Sequence, residues 1–128
     1  MAKSHRITKG WQQGSSVVSE TVTRTAESEL NMELTIANSS IDTQVAVNFT
    51  ASQLVSVFML SDENLRVEVN NSSSALVFEL KADSPFIWES QDSYFSNPFT
   101  TNVSAFYVTN TSGASATFTF NTLIDPTP

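Results

Sequence analysis

LNMELTI, at residues 30–36, alternates apolar and polar side chains without a break. Side chains of a β-strand point to opposite faces in turn, so this pattern predicts a strand with one buried face and one exposed face. The same period returns at residues 45–49, 65–69, 76–80, 103–108 and 118–124. A weaker alternation at 18–22 and a short apolar segment at 86–88 bring the expected number of strands to about eight or nine.

Two segments between these strands have distinctive patterns. Residues 54–60 are almost continuously apolar, which predicts a strand buried on both faces or a short helical turn that runs into a strand. The sequence Asn110-Thr111-Ser112-Gly113 predicts a hairpin turn that joins the two strands on either side of it.

Composition and length limit the fold to one small β domain. The chain has 128 residues, of which 45 are Ser, Thr or Asn, residue types that favour strands, turns and caps over helix interiors. We therefore expect an all-β protein with an antiparallel, jelly-roll-like β-sandwich. The expected division is an extended N-terminal arm at residues 1–14, followed by a single β-sandwich domain at 15–128 that ends in a short C-terminal tail.

The residue types needed for most catalytic sites are scarce. The chain has no cysteine, three glycines and one histidine, His5, which removes thiol chemistry, thiolate metal sites and glycine-rich phosphate loops. A Ser-His-Asp arrangement would have to recruit His5 from the arm. Asp62-Glu63-Asn64 fits a polar turn better than a cation site, because calcium loops alternate their ligands and usually include glycine. We expect no enzyme activity, no cofactor and no metal.

The charged residues are unevenly distributed along the chain. Lys3, Arg6 and Lys9 give the first nine residues a charge of +3, while the other 119 residues hold 3 basic and 13 acidic side chains, a net of −10. A body this acidic repels phosphate backbones, so we expect no nucleic-acid partner. The basic arm, with His5 beside these residues and Trp11 as an aromatic anchor, is predicted to dock on another protein or a neighbouring copy.

No apolar run approaches the roughly 20 residues of a membrane-spanning helix. The first ten residues also lack the apolar stretch of a secretory leader. We therefore expect no membrane association and no leader to be removed.

Aromatic residues are concentrated in one later segment. Residues 86–99 contain 5 of the 13 aromatic residues of the chain, and Trp88, Tyr94, Phe95 and Phe99 are the candidates for a contact patch. Three interpretations are open: a platform that stacks on sugar rings, an apolar patch that docks on a partner protein, or a long connection anchored to the core by its own aromatic side chains.

Several short motifs in residues 50–128 together carry a resemblance to a known group of proteins. They are LVSVFMLSD at 54–62, ELK at 79–81 followed by Pro85-x-x-Trp88, Tyr94-Phe95-x-Asn97-Pro98, Val108-Thr109-Asn110 and the ending Asp125-Pro126-Thr127-Pro128. With these motifs the chain resembles small all-β virion proteins of tailed bacteriophages, including head decoration or cement proteins. The resemblance implies a β-sandwich located at the capsid surface that binds the major capsid protein or another virion protein, with a trimer as the favoured homo-oligomer. Asp83 stands where that family often has glycine, so this loop is expected to differ.

Two functions remain as hypotheses. The first is a non-enzymatic structural protein that decorates or cements a phage capsid by binding the major capsid protein and neighbouring copies. The second is a carbohydrate-binding module or an adhesin-like component of a tail or fibre, which would use Trp88 and Tyr94.

Overall fold

The computed structural model describes residues 2–91 and 95–126. Ten strands account for most of these residues. No α-helix occurs among these residues; one 3-10 turn spans Ala51–Gln53. The strands are β1 (Lys3–Gln13), β2 (Ser16–Ala26), β3 (Ser28–Ile36), β4 (Ser40–Phe49), β5 (Leu54–Ser61), β6 (Leu65–Val69), β7 (Val77–Leu80), β8 (Phe86–Glu89), β9 (Val103–Asn110) and β10 (Ala116–Ile124).

Strands β3 to β10 form two four-stranded antiparallel sheets that pack as a sandwich. Sheet 1 has the order β3-β10-β5-β8, and sheet 2 has the order β4-β9-β6-β7. Strands β1 and β2 form a separate two-stranded antiparallel sheet, the N-terminal hairpin. The prediction of an all-β, antiparallel β-sandwich is confirmed.

Phenylalanine rings fill the space between the two sheets. Phe106 of β9 and Phe118 and Phe120 of β10 are fully buried. The ring of Phe106 meets that of Phe120 edge to face, with the ring centroids 5.0 Å apart, and lies 6.4 Å from that of Phe118. Because these residues alternate with more exposed ones along their strands, the period of two in the sequence marks the core face of each sheet.

The apolar segment at residues 54–60 combines both structures predicted for it. The 3-10 turn runs directly into β5, which lies between β10 and β8 in sheet 1. Val57 and Met59 are buried in the core, and on the opposite face Ser56 is buried while Phe58 is half-buried. The N-terminal hairpin lies over this opposite face. Because both faces of β5 are covered, its sequence does not alternate between apolar and polar residues as that of a half-exposed strand does.

The prediction that Asn110-Thr111-Ser112-Gly113 joins two paired strands of a hairpin is wrong. The strands on either side of this turn, β9 and β10, lie in different sheets and do not pair. The turn residues are correctly identified, but the buried Asn110 side chain ties the segment across the sandwich. Its Nδ2 donates to the carbonyl oxygens of Ile36 (3.0 Å) and Ala114 (2.8 Å), and its Oδ1 accepts from the backbone N–H of Ser112 at 3.1 Å.

Replacing Asn110 by alanine is expected to lower the free energy of unfolding by about 2–3 kcal/mol, because buried backbone groups lose their partners. Urea denaturation followed by circular dichroism measures this change. Asn48→Ala is the matched control, since Asn48 is exposed on β4, and it should change stability by less than about 0.5 kcal/mol. Equal effects of the two substitutions would contradict the role of Asn110.

The loop that contains Asp83 adopts a backbone suited to glycine. Asp83 has a φ of 60°, in the left-handed region that glycine enters freely and aspartate tolerates. Its backbone N–H donates to the carbonyl oxygen of Ser61 at 2.8 Å. Aspartate is therefore compatible with the left-handed conformation of this turn.

Candidate docking surface on the N-terminal hairpin

Residues 3–26 form a long β-hairpin. Strands β1 and β2 have 11 residues each and pair from Lys3 with Ala26 to Gln13 with Ser16. The two-residue turn begins at Gly14, whose φ of 59° suits a primed hairpin turn. The sequence predicted an extended arm at residues 1–14. The predicted boundary between this arm and the domain, after residue 14, falls within the turn of the hairpin. The division of the chain into an arm and a domain stays a prediction.

Polar contacts hold the base of the hairpin on the outer face of sheet 1. His5 and Arg24 lie opposite each other on the hairpin. The His5 Nε2 is 3.1 Å from the Glu29 Oε2 on β3, and the His5 Nδ1 is 3.5 Å from the Ser56 Oγ on β5. Arg24 forms an ion pair with the buried Glu89 on β8. These five residues, here called the clamp, connect the hairpin to three strands of sheet 1.

The charges of the hairpin and of sheet 1 are complementary. The four strands of sheet 1 contain the acids Glu29, Glu33 and Glu89 and no lysine, arginine or histidine. The hairpin brings His5 and Arg24 to two of these acids. The hydrogen bond from His5 is the main cause that lowers the pKa of the Glu29 carboxyl below its ordinary value of 4.5, which fits a carboxylate stabilised by its partner.

Within the clamp, Ser56, His5 and the Glu29 carboxylate contact one another in that spatial order. Such a serine–histidine–carboxylate arrangement is the one that catalysis by His5 would need. Ser56 is only 3% exposed, however, and β5 is hydrogen-bonded to a neighbouring strand on each side at this position. Its backbone groups are therefore directed into the two strand ladders, whereas acyl transfer needs N–H groups aimed at the developing oxyanion. The arrangement is best suited to holding the hairpin.

We expect the attachment of the hairpin to depend on pH through Glu29 of the clamp. Because the pKa of Glu29 is lowered in the folded protein, its stabilising contribution is complete above 4.5 and is lost as the pH falls through the lower value. We expect the amides of β1 to exchange hydrogen faster, relative to those of β9, as the pH falls below 4.5. Glu29→Gln should reduce this pH dependence, and an unchanged dependence in the variant would assign it to other carboxyls.

The tip of the hairpin carries exposed apolar side chains. Trp11 and Val18 lie opposite each other and are 69% and 66% exposed, and Val17, on the other face of the hairpin, is 64% exposed. Residues 10–19 contain no charged side chain. Two-stranded hairpins are only marginally stable in water by themselves, and large exposed apolar groups typically mark interaction sites. The tip is thus the strongest candidate for a docking surface on the described part of the chain.

The five residues predicted for the interface all lie on β1. Lys3, Arg6, Lys9 and Trp11 are exposed, whereas His5 is half-buried and contacts its own sheet through the clamp. Sequence reasoning missed Val17 and Val18 at the tip and the clamp partners of His5. Gly14-Ser15, a two-residue turn signal, could have indicated the hairpin.

The aromatic residues at 86–99 are divided between core and surface. Trp88 and Phe99 are buried, so their rings are not available to a surface patch. Phe95 is 71% exposed, and its carbonyl oxygen accepts a hydrogen bond from the Trp88 Nε1 at 3.0 Å. Tyr94 lies outside the described residues. The main effect of this segment is therefore to attach the connection between β8 and β9 to the core.

In the polar run Asp62-Glu63-Asn64 between β5 and β6, the first and last side chains accept hydrogen bonds from neighbouring backbone. The Asp62 Oδ1 accepts from the backbone N–H of Thr117, and the Asn64 Oδ1 accepts from that of Ala82, both at 2.8 Å. Over residues 2–91 and 95–126, no three histidine or acidic residues are grouped so that they could hold a metal ion. None of the described residues forms a helix that could cross a bilayer.

Comparison with known proteins gives no relative from which a function could be transferred. The sequence matches no protein family, no curated protein and no solved structure.

Proposed function

We propose that the chain is a non-enzymatic structural protein of a tailed-phage virion, which decorates or cements the capsid surface. Its partners would be the major capsid protein or another virion protein and further copies of the chain, with a trimer as the favoured homo-oligomer. The observation that carries this proposal is the N-terminal hairpin, whose uncharged tip exposes Trp11 and Val18.

The tip has the properties of a binding hot spot. Tryptophan is enriched among the residues that dominate binding energy, and such residues lie where docking removes them from water. Trp11 and Val18 form a cross-strand pair on one face of the hairpin, so a partner could cover both at once. The clamp fixes the base of the hairpin on sheet 1, which reduces the conformational entropy lost on docking.

The body fits a jelly roll, a fold that recurs in viral capsid and lectin domains. Its strands pair in nested order, β3 with β10, β4 with β9, β5 with β8 and β6 with β7. This order supports classing the sandwich as a jelly roll. A rigid sandwich without cysteine suits an accessory role at a particle surface, and the net charge of −10 outside the first nine residues disfavours binding to the packaged nucleic acid.

The proposal is tested in purified virions of the phage that encodes the chain. Mass spectrometry of particles purified by density gradient should find the chain in many copies per particle, and cryo-electron microscopy should place it on the outer capsid surface. Absence of the chain from purified particles would contradict the proposal.

A carbohydrate-binding or adhesin role is the second candidate, favoured by Phe95. Its exposed side chain borders a shallow depression of about 240 Å³ that is also lined by Phe86, Ile87 and Pro98. A glycan array with the purified chain and with Phe95→Ala tests this role. Binding that depends on Phe95 would favour it over capsid decoration.

A further inference from the structure

A cavity of about 430 Å³ opens between the base of the N-terminal hairpin and the outer face of sheet 1. One end of it lies at the clamp, since His5 lines the cavity. At the clamp, Leu123, Ser56 and Glu89 form a cross-strand row of buried residues. The next row along the sheet is only half-buried and forms the floor of the cavity. This cavity is here called the wedge.

The floor of the wedge combines apolar and amide side chains. Asn121 of β10 lies opposite Phe58 of β5, which in turn lies opposite Ile87 of β8, so the three side chains share the outer face of sheet 1. The side chain of Asn121 makes no hydrogen bond within residues 2–91 and 95–126. Its amide therefore has donors and an acceptor available to a ligand, directly beside an aromatic ring.

Residues 4–8 of β1 form the opposite wall of the wedge. Ile7 is buried there and shares the hairpin face of His5. Arg6 also lines the wedge, is exposed, and makes no ion pair within the described ranges 2–91 and 95–126. A guanidinium has five N–H donors, so this wall adds an apolar side chain and unpaired hydrogen-bond donors.

The two elements that form the wedge carry no net charge. The strands of the hairpin and of sheet 1 together contain four lysines or arginines and four acids, with His5 in addition. No acid lines the wedge itself. Electrostatic attraction therefore gives no general preference for an anion or a cation, and the wedge suits a neutral polar ligand. The charged side chains are Lys3, Arg6, Lys9 and Arg24 against Glu20, Glu29, Glu33 and Glu89.

We propose that the wedge binds one or two sugar rings of a neutral saccharide. The apolar C–H face of a ring would stack on Phe58, and the hydroxyl groups at its edge would bond to the amide of Asn121 and the guanidinium of Arg6. This site goes beyond capsid decoration as a function. It uses no residue of the hairpin tip, so Trp11 and Val18 stay available to the capsid.

The size and the lining of the wedge favour a saccharide over other ligands. Small-molecule pockets have volumes of about 300–1,000 Å³, whereas a stable contact with a protein needs about 800 Å² on each partner. An entirely apolar ligand would cover the amide of Asn121 without giving it a partner, which is unfavourable. A sugar ring presents an apolar face and hydroxyl groups together, as this floor requires.

Binding is tested first with the whole chain on an array of neutral and acidic oligosaccharides, followed by calorimetric titration with the neutral saccharide that binds best. Asn121→Ala should weaken binding at least about ten-fold, because hydrogen bonds to the ligand are lost. Thr119→Ala is the matched control. Thr119 is half-buried on the same face of β10, one row further along, and does not line the wedge; its replacement should leave the affinity unchanged.

Two further variants separate the aromatic floor from the Phe95 depression. Phe58→Leu keeps an apolar side chain of similar size and removes the ring, and it should also weaken binding at least about ten-fold. Phe95→Ala should bind the saccharide as tightly as the wild type does. Circular dichroism checks that each variant is folded, so a loss of affinity in a folded variant reports on the site.

Nuclear magnetic resonance locates the ligand independently of the variants. On titration with the same saccharide, the amide signals of residues 4–8, 58, 87 and 121 should shift, while those of residues 10–19 and 95–98 stay in place. Shifts centred on 95–98 would overturn the assignment to the wedge. No binding to any neutral saccharide at millimolar concentration, or binding to acidic ones alone, would overturn the proposal.

This inference and the proposed function fail separately. A chain that is present in purified virions and binds no saccharide would overturn the wedge site and leave capsid decoration in place. A chain that binds a saccharide in the wedge but is absent from virions would overturn capsid decoration and support the site.

Discussion

We expect Phe106→Ala to lower the free energy of unfolding by about 3–5 kcal/mol, the usual cost of removing a buried phenylalanine ring. Phe106 is fully buried, and its ring packs against those of Phe118 and Phe120 from the facing sheet. Native domains have a total stability of about 5–15 kcal/mol, so the variant should lie close to the limit of folding. Urea denaturation followed by circular dichroism measures the difference.

Phe95→Ala is the matched control for this prediction. Phe95 is 71% exposed, and loss of its side chain should change stability by less than about 0.5 kcal/mol. A cost below about 1 kcal/mol for Phe106→Ala would contradict its central place in the core. The comparison therefore separates an aromatic residue of the core from one whose side chain is mainly exposed.

Combined replacement of Trp11 and Val18 by serine should weaken attachment to the capsid by about 30-fold or more, the equivalent of a hot spot of about 2 kcal/mol. Both side chains are mainly exposed in the single chain, so the fold should lose little stability. The measurement is a binding titration of the purified variant on capsids that lack the chain.

Val17→Ser serves as the control on the same tip. Val17 is about as exposed as Val18 but lies on the opposite face of the hairpin. We expect it to attach nearly as tightly as the wild type. Equal losses in both variants would show that the whole tip, not the face of Trp11, is the docking element, and an unchanged affinity of the Trp11/Val18 variant would remove the tip from the mechanism.

The strands of the sandwich were predictable because their core residues recur with period two. Leu30 to Ile36 became β3 and residues 118–124 lie within β10, with the apolar phase facing the core. The first strand gave no such signal. Its face towards sheet 1 contains His5, Ile7 and Lys9, a mixed set that suits the polar outer surface of a sheet rather than an apolar core.

The clamp could not be predicted because its members come from distant parts of the chain. His5, Glu29, Ser56 and Glu89 meet only through the order of strands in sheet 1, which alternation along one strand does not encode. The exposed tip was predicted in part, since Trp11 is an obvious anchor, but the role of Val18 depends on the cross-strand register that Gly14 sets.

The most direct test of the central claim, that the hairpin tip is the surface that docks on the capsid, is hydrogen exchange of the chain free and bound to capsids. Peptides that cover residues 10–19 should become protected on binding, while peptides that cover residues 95–100 should exchange at an unchanged rate. Protection at 95–100 without protection at 10–19 would contradict the claim and favour a contact through Phe95.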